Sequence, residues 1–256
     1  MKTKTFFTTA LLLILTCTFA FSTVKQERNV GSFTKVSVSS GINLYLTQGN
    51  THSVTVETDE EIVNLIETEV KSGMLAIKVK SGEKINWKKG KLVLNVHVTA
   101  PVIEALQGSG GADIYLETPI NSNGSLNIAL SGGADLKTGS IKAKDINLKL
   151  SGGSDAKHLD VTADKLTAYL SGGADCAGTI NAPTIYIEQS GGSDSNITVS
   201  ADTLTVITSG GSDAKLSGKT NTIVAKASGA SDIKATNLTY EQSDIRKSGG
   251  ADIYLK

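Results

Sequence analysis

Ser131-Gly-Gly-Ala-Asp135 returns as Ser151-Gly-Gly-Ser-Asp155, Ser171-Gly-Gly-Ala-Asp175, Ser190-Gly-Gly-Ser-Asp194 and Ser209-Gly-Gly-Ser-Asp213, and this recurrence decides the fold. Further copies begin at Ser109 and Ser248, and an eighth, Ser228-Gly-Ala-Ser-Asp232, carries Ala in place of the second Gly. Successive copies lie 22, 20, 20, 19, 19, 19 and 20 residues apart. Self-similarity at a fixed period near twenty is the signature of a solenoid, in which each repeat buries its apolar face only by stacking on the next.

Columns of residue type follow when the copies are aligned on the motif Ser. Five residues before it stand Leu126, Ile146, Leu166, Ile185, Leu204 and Ile223; three before it stand Leu106, Ile128, Leu148, Ala168, Ile187, Val206, Ala225 and Ile245. Between those columns lie Asn127, Asn147, Thr167, Tyr186 and Thr205, so the pattern has the two-residue period of a strand with one face inward. After the motif Asp comes Ile114, Leu136, Ala156, Cys176, Ala214, Ile233 or Ile253, expected to point inward. The next residue is often Lys or Tyr, as at Lys137, Lys157, Lys215, Lys234, Tyr115 and Tyr254, and is expected to face water. Each turn therefore holds two or three short strands, and stacked turns build parallel sheets in the geometry of a β-helix. With ~4.8 Å between paired strands, eight turns make a rod of roughly 40 Å.

Before the repeats, residues 31–101 are rich in alternating β-branched runs such as Val54-Thr-Val-Glu, Leu75-Ala-Ile-Lys-Val-Lys and Leu92-Val-Leu-Asn-Val-His-Val. Ser72-Gly73 and Lys89-Gly90 read as turns between neighbouring strands, and Asp59 to Val70 as one short helix or a strand-loop-strand. Ser39-Ser-Gly-Ile-Asn-Leu-Tyr-Leu46 matches Ser109-Gly-Gly-Ala-Asp-Ile-Tyr-Leu116 in character, which makes it a degenerate first rung. The chain thus divides into a leader over 1–20, a β-rich capping region over 21–100, and repeats over 101–256 continuous with 30–100. Solenoid ends expose strand edges; residues 31–100 are expected to cap one end, and the divergent last turn with Asp244, Arg246 and Lys247 to finish the other.

Lys2 and Lys4, an apolar run through Leu15 and then Thr18-Phe-Ala20 have the order of a secretory signal, which predicts export to the periplasm or cell surface. A lipid anchor on Cys17 is the rival, although Thr16 before the cysteine fits such a site poorly. No transmembrane segment is expected after the leader. Removing residues 1–20 leaves 23 basic against 25 acidic residues, so nothing draws nucleic acid to the surface. Cys176 alone remains, which excludes an internal disulfide. It stands in an inward column and reads as core, not as a nucleophile. His52, His97 and His158 share no spacing with acids or Cys that a metal centre needs. Trp87, among Lys84, Lys88, Lys89 and Lys91, reads as a solvated hairpin end.

The repeated acid has two readings. In one it is a corner residue: Gly adopts the backbone shapes a bend needs and Asp accepts a main-chain N–H. In the other, Asp113, Asp135, Asp155, Asp175, Asp194, Asp213, Asp232 and Asp252 form a column that could take calcium, an amine-bearing glycan or a hydroxyl-rich one. The calcium-binding nonapeptide repeat does not match, because its period is nine. Retaining glycosidases set two carboxyl groups ~5 Å apart, close to one rung. Near-identical turns, however, give no pair distinct environments for an acid and a base, and no catalytic residue or resident cofactor is expected.

The leader, the β-rich start with Ser40-Gly41-Ile42-Asn43 and the repeated pentapeptide resemble the family of "putative auto-transporter adhesin, head GIN domain" proteins, exported proteins of Bacteroidetes-type bacteria. The resemblance covers roughly residues 30–256. It implies an all-β chain folded as a right-handed parallel β-helix, and a surface or periplasmic protein. It transfers no catalytic residues. The function expected is non-catalytic binding of glycan or envelope-protein partners; a polysaccharide-degrading hydrolase or lyase, or a scaffold without glycan binding, is the alternative.

Overall fold

A computed structural model describes residues 23–85 and 92–256. The leader, Cys17, Trp87 and the Lys89-Gly90 turn lie outside the described residues. Among the described residues twenty strands join into one continuous sheet that winds on itself. The repeat region holds β8 (Ala105–Gly108), β9 (Asp113–Leu116), β10 (Ile120–Asn121), β11 (Ser125–Leu130), β12 (Asp135–Leu150), β13 (Asp155–Leu170) and β14 (Asp175–Asn181), then β15 (Thr184–Gln189), β16 (Asp194–Thr208), β17 (Asp213–Ala227), β18 (Asp232–Thr239), β19 (Gln242–Lys247) and β20 (Asp252–Leu255). Every pairing among these strands is parallel and joins one turn to the next.

The two apolar columns stack as the spacing predicts. Leu106, Ile128, Leu148, Ala168, Ile187, Val206, Ala225 and Ile245 are partners in succession, and all but Ile245 are buried. A third inward column, not singled out above, immediately precedes the motif Ser: Leu130, Leu150, Leu170, Gln189, Thr208 and Ala227, all buried. Its polar members are satisfied inside. Gln189 Nε2 donates to the Ser193 and Asp213 carbonyls at 3.1 and 3.2 Å, and Ser195 Oγ donates to Gln189 Oε1 at 2.7 Å. Buried hydroxyls and amides are tolerated only when paired in this way.

The corners come in two kinds. At the first three, two consecutive residues are left-handed: Ser40 and Gly41 (φ 67° and 70°), Gly110 and Gly111 (58° and 74°), Gly132 and Gly133 (58° and 79°). From Gly152 onward only the second motif residue is left-handed, and the third has ordinary φ. From Gly173 onward the third residue's amide donates to the carbonyl of the second residue one turn earlier, as from Gly192 to Gly172 at 2.7 Å and from Ala230 to Gly210 at 2.7 Å. This is why one copy accepts Ala230: its position demands nothing that only glycine supplies. The fourth motif residue is turned inward and buried in every copy, from Ala112 to Ala251. Its Ala or Ser fits the narrow corner, and Ser193, Ser212 and Ser231 return their hydroxyls to the carbonyl of their own motif's first Ser at 2.9–3.0 Å.

The N-terminal end is closed by antiparallel strands. β1 (Thr23–Glu27) pairs with β4 (Ser53–Asp59), β4 with β7 (Leu94–Ala100), and β7 lies parallel to β3 (Asn43–Gln48). Beside them β5 (Ile66–Lys71) and β6 (Met74–Val79) form a hairpin about Ser72-Gly73, and β6 lies parallel to β2 (Lys35–Val38). β2 and β3 pair with β8 and β9, so Ser39–Leu46 is the first rung, as read. The helix considered for Asp59–Val70 shrinks to one 3-10 turn, Val63–Leu65, because the residues after it are drawn into the hairpin. At the other end Ser243 and Lys247 stand opposite the buried Ile223 and Ala227, while Asp244 and Arg246 sit opposite Val224 and Lys226 in outward columns.

Candidate functional site

The eight aspartates lie in file. Asp113, Asp135, Asp155, Asp175, Asp194, Asp213, Asp232 and Asp252 are register partners in unbroken order, and Asn43 and Asn95 extend the column beyond Asp113. Each is the first residue of its strand, directly after the buried corner residue, so the pleat turns its side chain outward. The carboxylates also serve the backbone, since the amides of Asp155 and Asp213 donate to Asp135 Oδ1 and Asp194 Oδ1, each at 3.2 Å. That is the corner role, performed between turns.

Like charges stacked at rung spacing repel, and here lysines from the same face relieve the repulsion. Lys137 Nζ lies 3.2 Å from Asp113 and 3.5 Å from Asp135. Lys157 bridges Asp155 and Asp175 at 2.6 and 3.5 Å, and Lys234 bridges Asp232 and Asp213 at 3.2 and 3.5 Å. Lys247 reaches Asp252 at 3.4 Å. The hydrogen bond to Asp155 raises the Lys157 ammonium, and that to Asp232 raises Lys234. For Lys137, desolvation pulls the other way and is outweighed by the hydrogen bond and charge of Asp113, so its pKa also rises. Lys137, Lys157 and Lys234 do not simply face water, as their outward position suggested; two residues along a strand returns to the same face, which puts them over the acids. That spacing was the signal for the bridges.

An aromatic file continues the lysine column toward the N-terminal end. Tyr45 stacks on Tyr115 with centroids 4.9 Å apart and on His97 at 5.0 Å, and Lys137 Nζ sits 5.9 Å from the Tyr115 centroid. The signal for it was the match of Asn95-Val-His97 with Asn43-Leu-Tyr45 and Asp113-Ile-Tyr115. Ring faces in this file cover one another and present edges outward. His97 Nε2 pairs with Glu57 Oε2 at 2.9 Å, which tethers β7 to β4.

Among the described residues no three His, Cys, Asp or Glu side chains converge into a group that could hold a metal ion. Cys176 is buried, and burial pushes its thiol up to about 12, which leaves no thiolate for chemistry near neutrality. No helix among the described residues is long and apolar enough to cross a membrane.

Comparison with known proteins places this geometry. No curated protein matches the chain. Solved structures share the fold at low identity. A "putative adhesin" of Bacteroides fragilis is 20% identical, with a TM-score of 0.57 over 93% of this chain and 98% of that one. A "putative adhesin" of Parabacteroides distasonis is 17% identical, with a TM-score of 0.68 over 91% and 97%. A protein from the same species described as a "putative lipid binding protein" is 16% identical, with a TM-score of 0.67 over 91% and 96%. The model of the family described as "Putative auto-transporter adhesin, head GIN domain" matches residues 32–179 and again 171–256, and with nearly all of the solenoid covered, the chain belongs to that family.

Proposed function

We propose that this protein is an exported, adhesin-like rod that binds glycan or protein partners at the cell envelope without catalysis. The observation that carries the reading is the register of eight carboxylates along one face, most of them bridged by lysine. Equivalent groups repeated at rung spacing suit a repetitive ligand, because weak contacts made in series add through effective concentration. The same equivalence speaks against polysaccharide cleavage. A general acid and its partner need environments that push their pKa values apart, and here neighbouring carboxylates share a single lysine. The family description and the adhesin-described relatives support the adhesin part of the reading.

A glycan array probed with the chain lacking its leader, with calcium and with chelator, tests this. Retention on polymeric glycans that weakens when Asp155, Asp175 and Asp213 are changed to Asn is expected. Release of new reducing ends or unsaturated sugars from a bound polymer would make it an enzyme. Silence on every glycan, with an envelope protein captured by pull-down, would leave only the protein-partner half of the proposal.

A further inference from the structure

The widest interval between motifs, 22 residues from Ser109 to Ser131, marks the one place where the solenoid departs from its own period by more than a residue. Asp113 and Ile120 lie opposite Asp135 and Ile141, so one residue is extra there; Asn121 and Ser125 lie opposite Lys142 and Asp145, which places the second. In repeat proteins such insertions collect on the binding face. The second of these swells the corner around Ser122-Asn-Gly124, which with Pro101-Val102 encloses a groove of about 660 Å³.

The groove is held open by one side chain. Gln48 Nε2 donates to the carbonyls of Pro101 and Asn121, each at 2.9 Å, while its Oε1 accepts the Asn121 amide at 2.6 Å. A glutamine used up on both walls fixes their separation, and ligand sites gain affinity from such preorganisation. Asn121, Asn123, Ser125 and Asn127 line the groove, and Val102, 46% exposed, gives it an apolar patch. Asn127 Oδ1 accepts the Asn147 amide at 3.1 Å, which leaves its own Nδ2 for a ligand. The charged groups at the rim are one of each sign, Lys35 and Glu104.

Asparagine offers a donor and an acceptor side by side, the complement of neighbouring hydroxyls on a sugar ring, and an exposed Val takes the ring's C–H face or a methyl substituent. With rim charges that cancel, nothing favours an acidic ligand. We infer that this groove binds a neutral, hydroxyl-rich sugar residue of a surface polysaccharide. The inference rests on the glycan part of the function proposed above, and it adds to the aspartate column a second contact for the same polymer.

The test is titration of the protein with three oligosaccharides, a neutral hexose oligomer, an N-acetylhexosamine oligomer and a uronate oligomer, followed through the asparagine side-chain amide signals by NMR. Neutral oligomers should move the Asn121 and Asn123 signals, and Asn123→Ala should weaken binding about tenfold. Val102→Asp should abolish it. Both residues are exposed, so folding is not at stake, and unchanged circular dichroism checks this. Binding of the uronate oligomer alone overturns the inference. So does neutral-sugar binding that survives both groove variants and is lost in Asp155→Asn/Asp175→Asn; that outcome keeps the glycan reading and moves the site. Silence with all three oligomers removes the glycan reading itself.

Discussion

Two glycines that are neighbours in one motif should respond oppositely to the same substitution. Gly191 is left-handed, at φ 75°, and a Cβ built on it would stand 2.9 Å from the Gly172 carbonyl oxygen and 3.0 Å from its nitrogen. Holding an Ala in that conformation costs roughly 1–2 kcal/mol. The crowding falls on backbone atoms of the turn above, which cannot rotate away as a side chain would, and carries the total for Gly191→Ala to about 2–4 kcal/mol. Gly192 has ordinary φ, and its Cβ would meet only the Gly172 oxygen at 3.8 Å, a normal contact. Gly192→Ala should therefore be neutral or stabilising by up to about 1 kcal/mol, because Ala has fewer unfolded conformations to lose. Gly133, also third in its motif but left-handed at 79° with nothing within 4 Å of an added Cβ, isolates the conformational part; Gly133→Ala should cost about 1–2 kcal/mol. At ~2–4 °C per kcal/mol for a chain of this size, thermal melts by far-UV circular dichroism should rank Gly192→Ala at or above the unchanged protein, then Gly133→Ala, then Gly191→Ala. If Gly192→Ala melts as low as Gly191→Ala, the two kinds of corner are not distinct and the account of Ala230 fails with them.

Three further outcomes follow from the same geometry. Cys176, its thiol pushed up to about 12, should resist a thiol reagent at mildly alkaline pH and react at once in denaturant; rapid labelling of the native protein would mean the inward column is open. Lys137→Met keeps the aliphatic stem and removes the charge shared by Asp113 and Asp135; the half-exposed bridge should be worth less than about 1 kcal/mol, and the melting difference should shrink in high salt. Glu57 is held below its usual carboxylate range first by the His97 hydrogen bond and then by Lys25, against desolvation. Its stabilisation is therefore complete above the unfolded carboxylate pKa and lost as pH falls through the lower, folded value. His97→Phe keeps the ring on Tyr45 but removes the N–H, so its stability deficit should be largest near neutrality and close toward acid pH; a deficit independent of pH would assign His97 to stacking alone.

What the sequence disclosed and what it withheld divide along one physical line. Where each turn repeats the last, spacing alone places a residue, because parallel strands in register put residue i over its counterpart one turn away. Hence the inward positions of Leu126 and Ile146, the file of aspartates and the first rung at Ser39–Leu46 were legible without coordinates. Antiparallel closure at the N-terminal end has no such rule. β1 finds β4 and β4 finds β7 across long intervals, and alternation marks a strand without naming its partner. The buried Gln189, Thr208 and Ser195 were hidden for another reason: residue type argued for water, while their columns argued for the interior, Gln189 and Thr208 aligning with Leu130, Leu150 and Leu170, and Ser195 with Cys176 and Ala214. Column outranks composition in a solenoid, since a polar side chain that turned outward there would have to break the register of every turn around it. By the same logic the lysine bridges were implicit in a two-residue offset. The groove at Asn121–Ser125 was implicit in a single irregular interval, for in a chain this regular the departures from period carry more information than the period does.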